Sequence, residues 1–320
     1  MVNDVKLRKK PQKSENDHSN KSTQDKDEIK PKYGPMPRNT TFRVLSRGVM
    51  IIGVMVYVWY YSNGKRESSL AKQNTIYQTR GQHVDCHPDF INEIKGFPGC
   101  VPKKCGRFVS DRIVTEYEAD ILLWFAKRGM ALTNVSGGAA IIDLHSGTMS
   151  YQDKFMNFYR ANLSYFITPT DLHTYKGVRE KIQSAVADFF GINVDSLYLT
   201  HPTFFSRLSN KEAVTLNDQY WHIHVDKHTY ESFHYTTLLY LNDYETDFKG
   251  GRFMFVNDFN KPTKNITVEP RKGRVSMFTS GAENPHFVEK VSEGQRYAIT
   301  ISFTCNEKKK INDPTMKTSH

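Results

Sequence analysis

The chain has 320 residues, 38% hydrophobic and 12% aromatic, a globular proportion that excludes collagenous, coiled-coil and wholly disordered classes. Its formal charge is +10, from 44 Lys and Arg against 34 Asp and Glu. Residues 1–47 hold 12 basic and 6 acidic residues, and Lys308-Lys309-Lys310 adds three more positive charges, so the body is close to neutral and a nucleic-acid-gripping domain is excluded.

Residues 1–47 are polar, charged and nearly free of branched apolar side chains, which predicts a disordered basic tail on the cytoplasmic side. No charge falls between Arg47 and Lys65, and residues 48–64 read as a transmembrane signal anchor. Seventeen residues at ~1.5 Å each reach ~26 Å, close to the ~27 Å of an endoplasmic-reticulum bilayer. Trp59, Tyr60 and Tyr61 stand where an interfacial aromatic belt belongs. The preceding tail is too long for a signal-peptide n-region, and no small-residue cleavage site follows. The larger basic count before the anchor predicts a single-pass type II membrane protein, its C-terminal part in the lumen of the endoplasmic reticulum or later secretory pathway.

Cys86, Cys100, Cys105 and Cys305 all follow the anchor, which fits an oxidising compartment and disulfide pairing. Sequons at Asn134, Asn162 and Asn265 lie on the same side and are candidate glycosylation sites. Asn20 and Asn39 also sit in sequons before the anchor, so sequons alone do not set the orientation. Residues 65–105 read as a polar stem and a loop rich in Gly, Pro and Cys. The Cys100-x4-Cys105 spacing has no second pair to complete a zinc site, so disulfides are the better reading, with Cys305 tying the end of the fold to its beginning.

A helix is predicted over 115–132, with Thr115 and Glu118 as a capping box. A second is predicted over 169–190, opened by Pro169 and closed by Gly191. From residue 197 to 306 short β-branched and aromatic runs alternate with Gly, Pro, Asn and Asp, and predict seven or eight strands. Gly250-Gly251 marks a bulge or tight turn. The expected class is α+β, a sandwich or jelly-roll barrel backed by helices, with a domain over 106–306 and a basic C-terminal tail over 307–320.

The most informative run is Tyr220-Trp221-His222-Ile223-His224-Val225-Asp226. On a strand, residues two apart share a face, so His224 and Asp226 can converge on one ion, with His286 of Asn284-Pro285-His286 as third ligand. Two imidazoles and a carboxylate make the facial triad of non-haem iron oxygenases, which leaves positions open for O2 and a 2-oxo acid. His222 shares that face, so periodicity alone also allows a His222–His224 pair, as in a zinc or manganese cupin. Arg296 stands ten residues past His286 on a predicted strand, where its guanidinium can pair with a dicarboxylate. Tyr240, fourteen residues past Asp226, can donate to the same carboxylate. Asp143-Leu144-His145 reverses the motif but has no accompanying arginine, and reads as structural or cleft-lining. His201, His228 and His234 read as surface or packing residues, and Phe204, Phe205 and Arg207 as core or cleft.

Taken together, H-x-D, TTLLYLN, GGRFMF, GRVSMF, N-P-H and G-x-R-Y-A-I-T resemble the prolyl-hydroxylase branch of the 2-oxoglutarate and Fe(II)-dependent dioxygenases, over roughly residues 86–306. The resemblance implies a double-stranded β-helix with supporting N-terminal helices. It implies that His224, Asp226 and His286 are the iron ligands and catalytic centre, that Arg296 binds the 2-oxoglutarate C5 carboxylate, and that Tyr240 is a second contact. It implies Fe(2+) and L-ascorbate as cofactors, and 2-oxoglutarate and O2 as co-substrates. The expected activity is hydroxylation of a protein or peptide side chain in the secretory lumen, with release of succinate and CO2. The alternative is a catalytically inactive, membrane-anchored lumenal binding protein with a dioxygenase-like barrel, against which the complete triad and arginine argue.

Overall fold

A computed structural model describes residues 40–63, 68–257 and 265–315, in two compact units split after Tyr61. The expected tail falls largely outside the described residues. In the first unit, helix α1 (Thr40–Asn63) starts eight residues before the expected anchor. No Pro or Gly interrupts 40–47, so the helix runs on through Arg43 and Arg47. Its stretch Thr41–Tyr61 is, among the described residues, the one helix long and apolar enough to cross a membrane, and its apolar side chains are exposed throughout.

The second unit mixes helices with a large antiparallel sheet. Its first elements are β1 (Ser68–Ala71), β2 (Arg80–Val84), helix α2 (Pro88–Ile94), β3 (Cys105–Ser110) and helix α3 (Glu116–Met130). After β4 (Ala139–Ile142), β5 (Thr148–Tyr151) and β6 (Lys154–Asn157) comes helix α4 (Pro169–Phe190). Then follow β7 (Tyr198–Leu199), β8 (Phe204–Ser209), a one-turn helix α5 (Asp226–Thr229), β9 (Tyr235–Tyr240), β10 (Phe248–Gly250), β11 (Phe253–Val256), β12 (Asn265–Val268), β13 (Val275–Thr279), β14 (His286–Val288) and β15 (Val291–Thr304). One sheet runs β1-β12-β11-β14, and the larger runs β2-β3-β13-β9-β15-β8-β4-β5-β6, with β7 and β10 also on β15.

Both long helices follow their sequence signals. Thr115 caps α3 and Glu118 reciprocates, while Ala119, Leu122, Leu123, Ala126 and Met130 bury one face. Thr168 and Asp171 form the same box at α4, Pro169 opens it, and Gly191 ends it at φ 64°. These helices cover one face of the larger sheet. The alternation along β3 shows the layering: Phe108 packs against Phe189 and Phe190 of α4, while Val109 joins Tyr240, Phe253, Phe255 and Phe278 in the core between the sheets.

Three expectations are corrected. The expected stem and loop over 65–105 contains strands: β1 pairs in parallel with β12, and β2 antiparallel with β3, one at the margin of each sheet. Neither segment has strand-like composition; an available sheet edge supplies the ladder, and Leu70 and Ala71 fill the inter-sheet core. Strands also precede residue 197, since β4, β5 and β6 extend the larger sheet between α3 and α4. The C-terminal run is not a free tail up to residue 315: Ile311 N donates to Leu199 O at 2.9 Å, and Arg179 clasps Asp313. The paired acid at 313 and the backbone ladder hold a segment that looked merely basic.

The cysteines pair as Cys86–Cys105 and Cys100–Cys305, so the two ends of the Cys-x4-Cys spacing go to different partners. Asn134 and Asn162 are exposed, with φ 40° and 53°, whereas Asn265 is half-buried at the start of β12. Gly250 and Gly251 adopt φ 66° and 64° where the β10–β15 register shifts.

Candidate metal centre

His224, Asp226 and His286 come together, their ligand atoms all within 4.8 Å of one another. The backbone route differs from the expected strand. Only His224 and Val225 are extended, and Asp226 already opens α5. The convergence comes from a two-residue bridge: His224 N donates to His286 O, and His286 N to His224 O, each at 2.9 Å. A bridge this short leaves no room for the longer strand that alternation predicts, because α5 turns the chain away at once.

The polar partners present both imidazoles for ligation. His224 Nδ1 lies 2.9 Å from His222 O, and His286 Nδ1 lies 2.9 Å from Asn284 O. A carbonyl only accepts, so the proton sits on Nδ1 and the Nε2 lone pair is free. Those Nε2 atoms lie 3.7 and 3.5 Å from Asp226 Oδ1. The His222 ring instead bonds to Gln219 at 2.8 Å and stands outside the cluster. Phe253 stacks on His286 at 5.0 Å and Phe278 meets it at 4.9 Å, which fixes the ring and keeps water off its inner side.

Burial pushes the Asp226 carboxyl up, but His286, Thr236 and His224 beside it outweigh burial and hold it below the usual carboxylate range. Burial, with His286 alongside, lowers His224 and favours the neutral imidazole that a metal needs.

Arg296 on β15 is 1% exposed, and its Nε and Nη2 have no hydrogen-bond partner among the described residues. Tyr240 is fully buried, with its hydroxyl 3.2 Å from Ser276 Oγ. Arg296 shares a face of β15 with Ala298, which lies opposite Tyr240 and in the inter-sheet core. A buried guanidinium with free donors calls for an anionic partner. Two imidazole nitrogens and one carboxylate oxygen, with Asp226 and His286 buried and His224 exposed, suit Fe(2+), and the Arg296–Tyr240 corner suits a carboxylate.

The remaining candidates have other partners. Asp143 accepts from His145 N, Ser146 N and Ser146 Oγ, and the His145 ring spans Tyr175 OH and Asn312 O. His234 is buried against Glu93 and the Cys305 amide, while His228 is exposed. Phe205 packs on Phe125 of α3 and Arg207 donates to Met130 O, so both serve the helix layer. Thr236 and Ser280, which back Asp226, belong to no metal-ligand motif in the sequence. Period-two counting back from Tyr240 reaches Thr236, and was the available signal.

Residues 212–304 match the sequence profile of the 2OG-Fe(II) oxygenase superfamily. The chain is 51% identical over 249 residues to the 2-oxoglutarate and iron-dependent oxygenase domain-containing protein 3 of Xenopus tropicalis, covering 77% of each chain. It is 44% identical over 284 residues to the protein of that name from Rattus norvegicus, covering 87% of this chain and 89% of the relative. It is also 34% identical over 143 residues to prolyl 3-hydroxylase 2 of Rattus norvegicus, covering 40% of this chain and 20% of that one.

Proposed function

The chain belongs to the 2-oxoglutarate and Fe(II)-dependent oxygenases, and from that membership we propose that it is an active dioxygenase hydroxylating a protein or peptide side chain in the secretory lumen. The observation that carries this reading is the coincidence of a compact His224–Asp226–His286 set with a buried Arg296 whose Nε and Nη2 have no hydrogen-bond partner among the described residues. The two facing sheets are read as a double-stranded β-helix.

In this reading His224, Asp226 and His286 hold Fe(2+). The bound iron supplies O2 activation coupled to oxidative decarboxylation of 2-oxoglutarate to succinate and CO2. The protein's share is positioning. The His222 and Asn284 carbonyls keep each Nε2 unprotonated, Arg296 and Tyr240 receive the C5 carboxylate, and Phe253 and Phe278 exclude water from the inner wall. L-ascorbate is the proposed reductant. The likeness to a prolyl 3-hydroxylase makes a prolyl side chain the first acceptor to test.

The apolar α1, the four paired cysteines and the exposed Asn134 and Asn162 support a type II anchor with a glycosylated lumenal domain. Asn265, half-buried, is the least accessible of the three sequons. The catalytic domain is taken to start at β1 rather than at residue 106, because β1 completes the smaller sheet.

Detergent-solubilised full-length chain, supplied with Fe(2+), ascorbate and 2-oxoglutarate, is expected to release succinate, and Asp226→Ala to release none. If the wild type shows neither succinate release nor metal-dependent 2-oxoglutarate binding, the enzyme reading fails. A glycosidase-sensitive mass shift lost in Asn134→Gln/Asn162→Gln tests the lumenal assignment.

A further inference from the structure

Behind the candidate ligands lies a closed circuit of hydrogen bonds around Asp226. Thr236 sits on β9, flanked by Phe278 of β13 and Ser302 of β15, and is 2% exposed. Its Oγ1 donates to Asp226 Oδ2 at 2.7 Å. Ser280 Oγ lies 2.8 Å from Thr236 Oγ1, and because the Thr236 proton is committed to the carboxylate, Ser280 is the donor there. The Ser280 backbone closes the circuit. Its N–H donates to His234 O at 3.0 Å, and its carbonyl accepts from the N–H of Lys227, the residue after Asp226, at 3.1 Å.

The two oxygens of Asp226 therefore have separate duties. Oδ2 faces Thr236, while Oδ1 faces the two imidazoles at 3.7 and 3.5 Å. Thr236 has little freedom to follow a rotating carboxylate, since its hydroxyl is also held by Ser280 and its strand is paired on both sides.

We propose that Thr236, backed by Ser280, is a positioning residue that restricts Asp226 to one-oxygen coordination and so preserves three exchangeable positions on the metal. This rests on the metal reading above and deepens it. A 2-oxo acid chelating through two atoms and O2 through one need all three positions. A carboxylate released from Thr236 can rotate, chelate through both oxygens and occupy one of them.

The test uses Mn(2+) in place of iron, with the full chain in detergent. Water ligands are counted by electron–nuclear double resonance in oxygen-17 water, and 2-oxoglutarate affinity of the Mn(2+)-loaded chain is measured by titration calorimetry. Thr236→Val, which keeps shape and removes the donor, is expected to lose at least one water ligand and to bind 2-oxoglutarate about tenfold or more weakly. Thr236→Ser is expected to restore both. Wild-type water count and affinity in Thr236→Val overturn the proposal, as does Thr236→Ser behaving like Thr236→Val, which would mean that packing alone matters. If Thr236→Val does not fold, Ser280→Ala is read instead: weakened 2-oxoglutarate binding supports the relay, and unchanged binding overturns it. Failure of the wild type to bind Mn(2+) would instead refute the metal reading.

Discussion

The Arg296 guanidinium carbon lies 5.3 Å from the centre of the Tyr240 ring, and the ring face gives this buried cation only part of what water would supply. Burial accordingly lowers the Arg296 pKa, against the pull of Tyr240 and Tyr220. Losing one member of a buried charge pair costs about 2–5 kcal/mol, so Arg296→Ala is expected to weaken 2-oxoglutarate binding by roughly 30- to 3000-fold. Arg296→Lys keeps the charge but not the planar fork, and recovers part of the loss. Calorimetry of Mn(2+)-loaded chains checks both, and Mn(2+) affinity without 2-oxoglutarate should not change.

Gly251 touches the same arginine. At φ 64° an added Cβ would be strained, by about 1–2 kcal/mol, and would lie 3.1 Å from Arg296 Cδ. Gly251→Ala should lower both stability and 2-oxoglutarate affinity. Gly191→Ala, also at φ 64° but at the end of α4, should lower stability alone. Urea unfolding beside calorimetry separates the two, and equal 2-oxoglutarate affinities would refute the coupling.

Cys100–Cys305 closes a loop across a sequence separation of 205, and Cys86–Cys105 one of 19. On chain entropy the longer crosslink contributes about 5 kcal/mol and the shorter about 3. The paired replacement Cys100→Ser/Cys305→Ser should therefore lower the urea midpoint more than Cys86→Ser/Cys105→Ser. The reverse order would show that local geometry, rather than loop length, governs.

Burial holds His234 below its ordinary value, although Glu93 at 3.1 Å pulls the other way. The unfolded chain takes up a proton here near pH ~6.5, while the native chain resists until lower pH. The unfolded state thus binds more protons in that window, and stability rises with pH through it. The contribution is complete above ~6.5 and lost between that value and the lowered native one. Tm should fall between pH 7.5 and 5.5, less steeply in His234→Gln; parallel profiles would refute the assignment.

What was legible in the sequence follows the range of the forces involved. The helix α3 is legible to its cap, because Thr115 with Glu118 is a local signal, and α4 is legible from Pro169 and Gly191, while its Thr168–Asp171 box emerges only in the structure. The grouping of His224, Asp226 and His286 was legible as chemistry, but its backbone route was not. A bridge between residues 224 and 286 and an immediate turn into α5 are tertiary facts with no period to read. Strand β2 is mostly exposed and polar, so only the presence of β3 as a partner makes it a strand. Thr236 was visible as a strand residue, but its bond to Asp226 depends on how α5 packs over β9.

The two crosslinks also decide how the chain comes apart. A single cut anywhere from residue 87 to 304 leaves both fragments joined, through Cys86–Cys105, Cys100–Cys305 or both. Arg296 and the candidate ligands His224, Asp226 and His286 then stay attached to the same covalent body as the N-terminal helix. A protease can separate the helix from all of them with one cut only before Cys86, where the backbone around β1 and β2 becomes the release point.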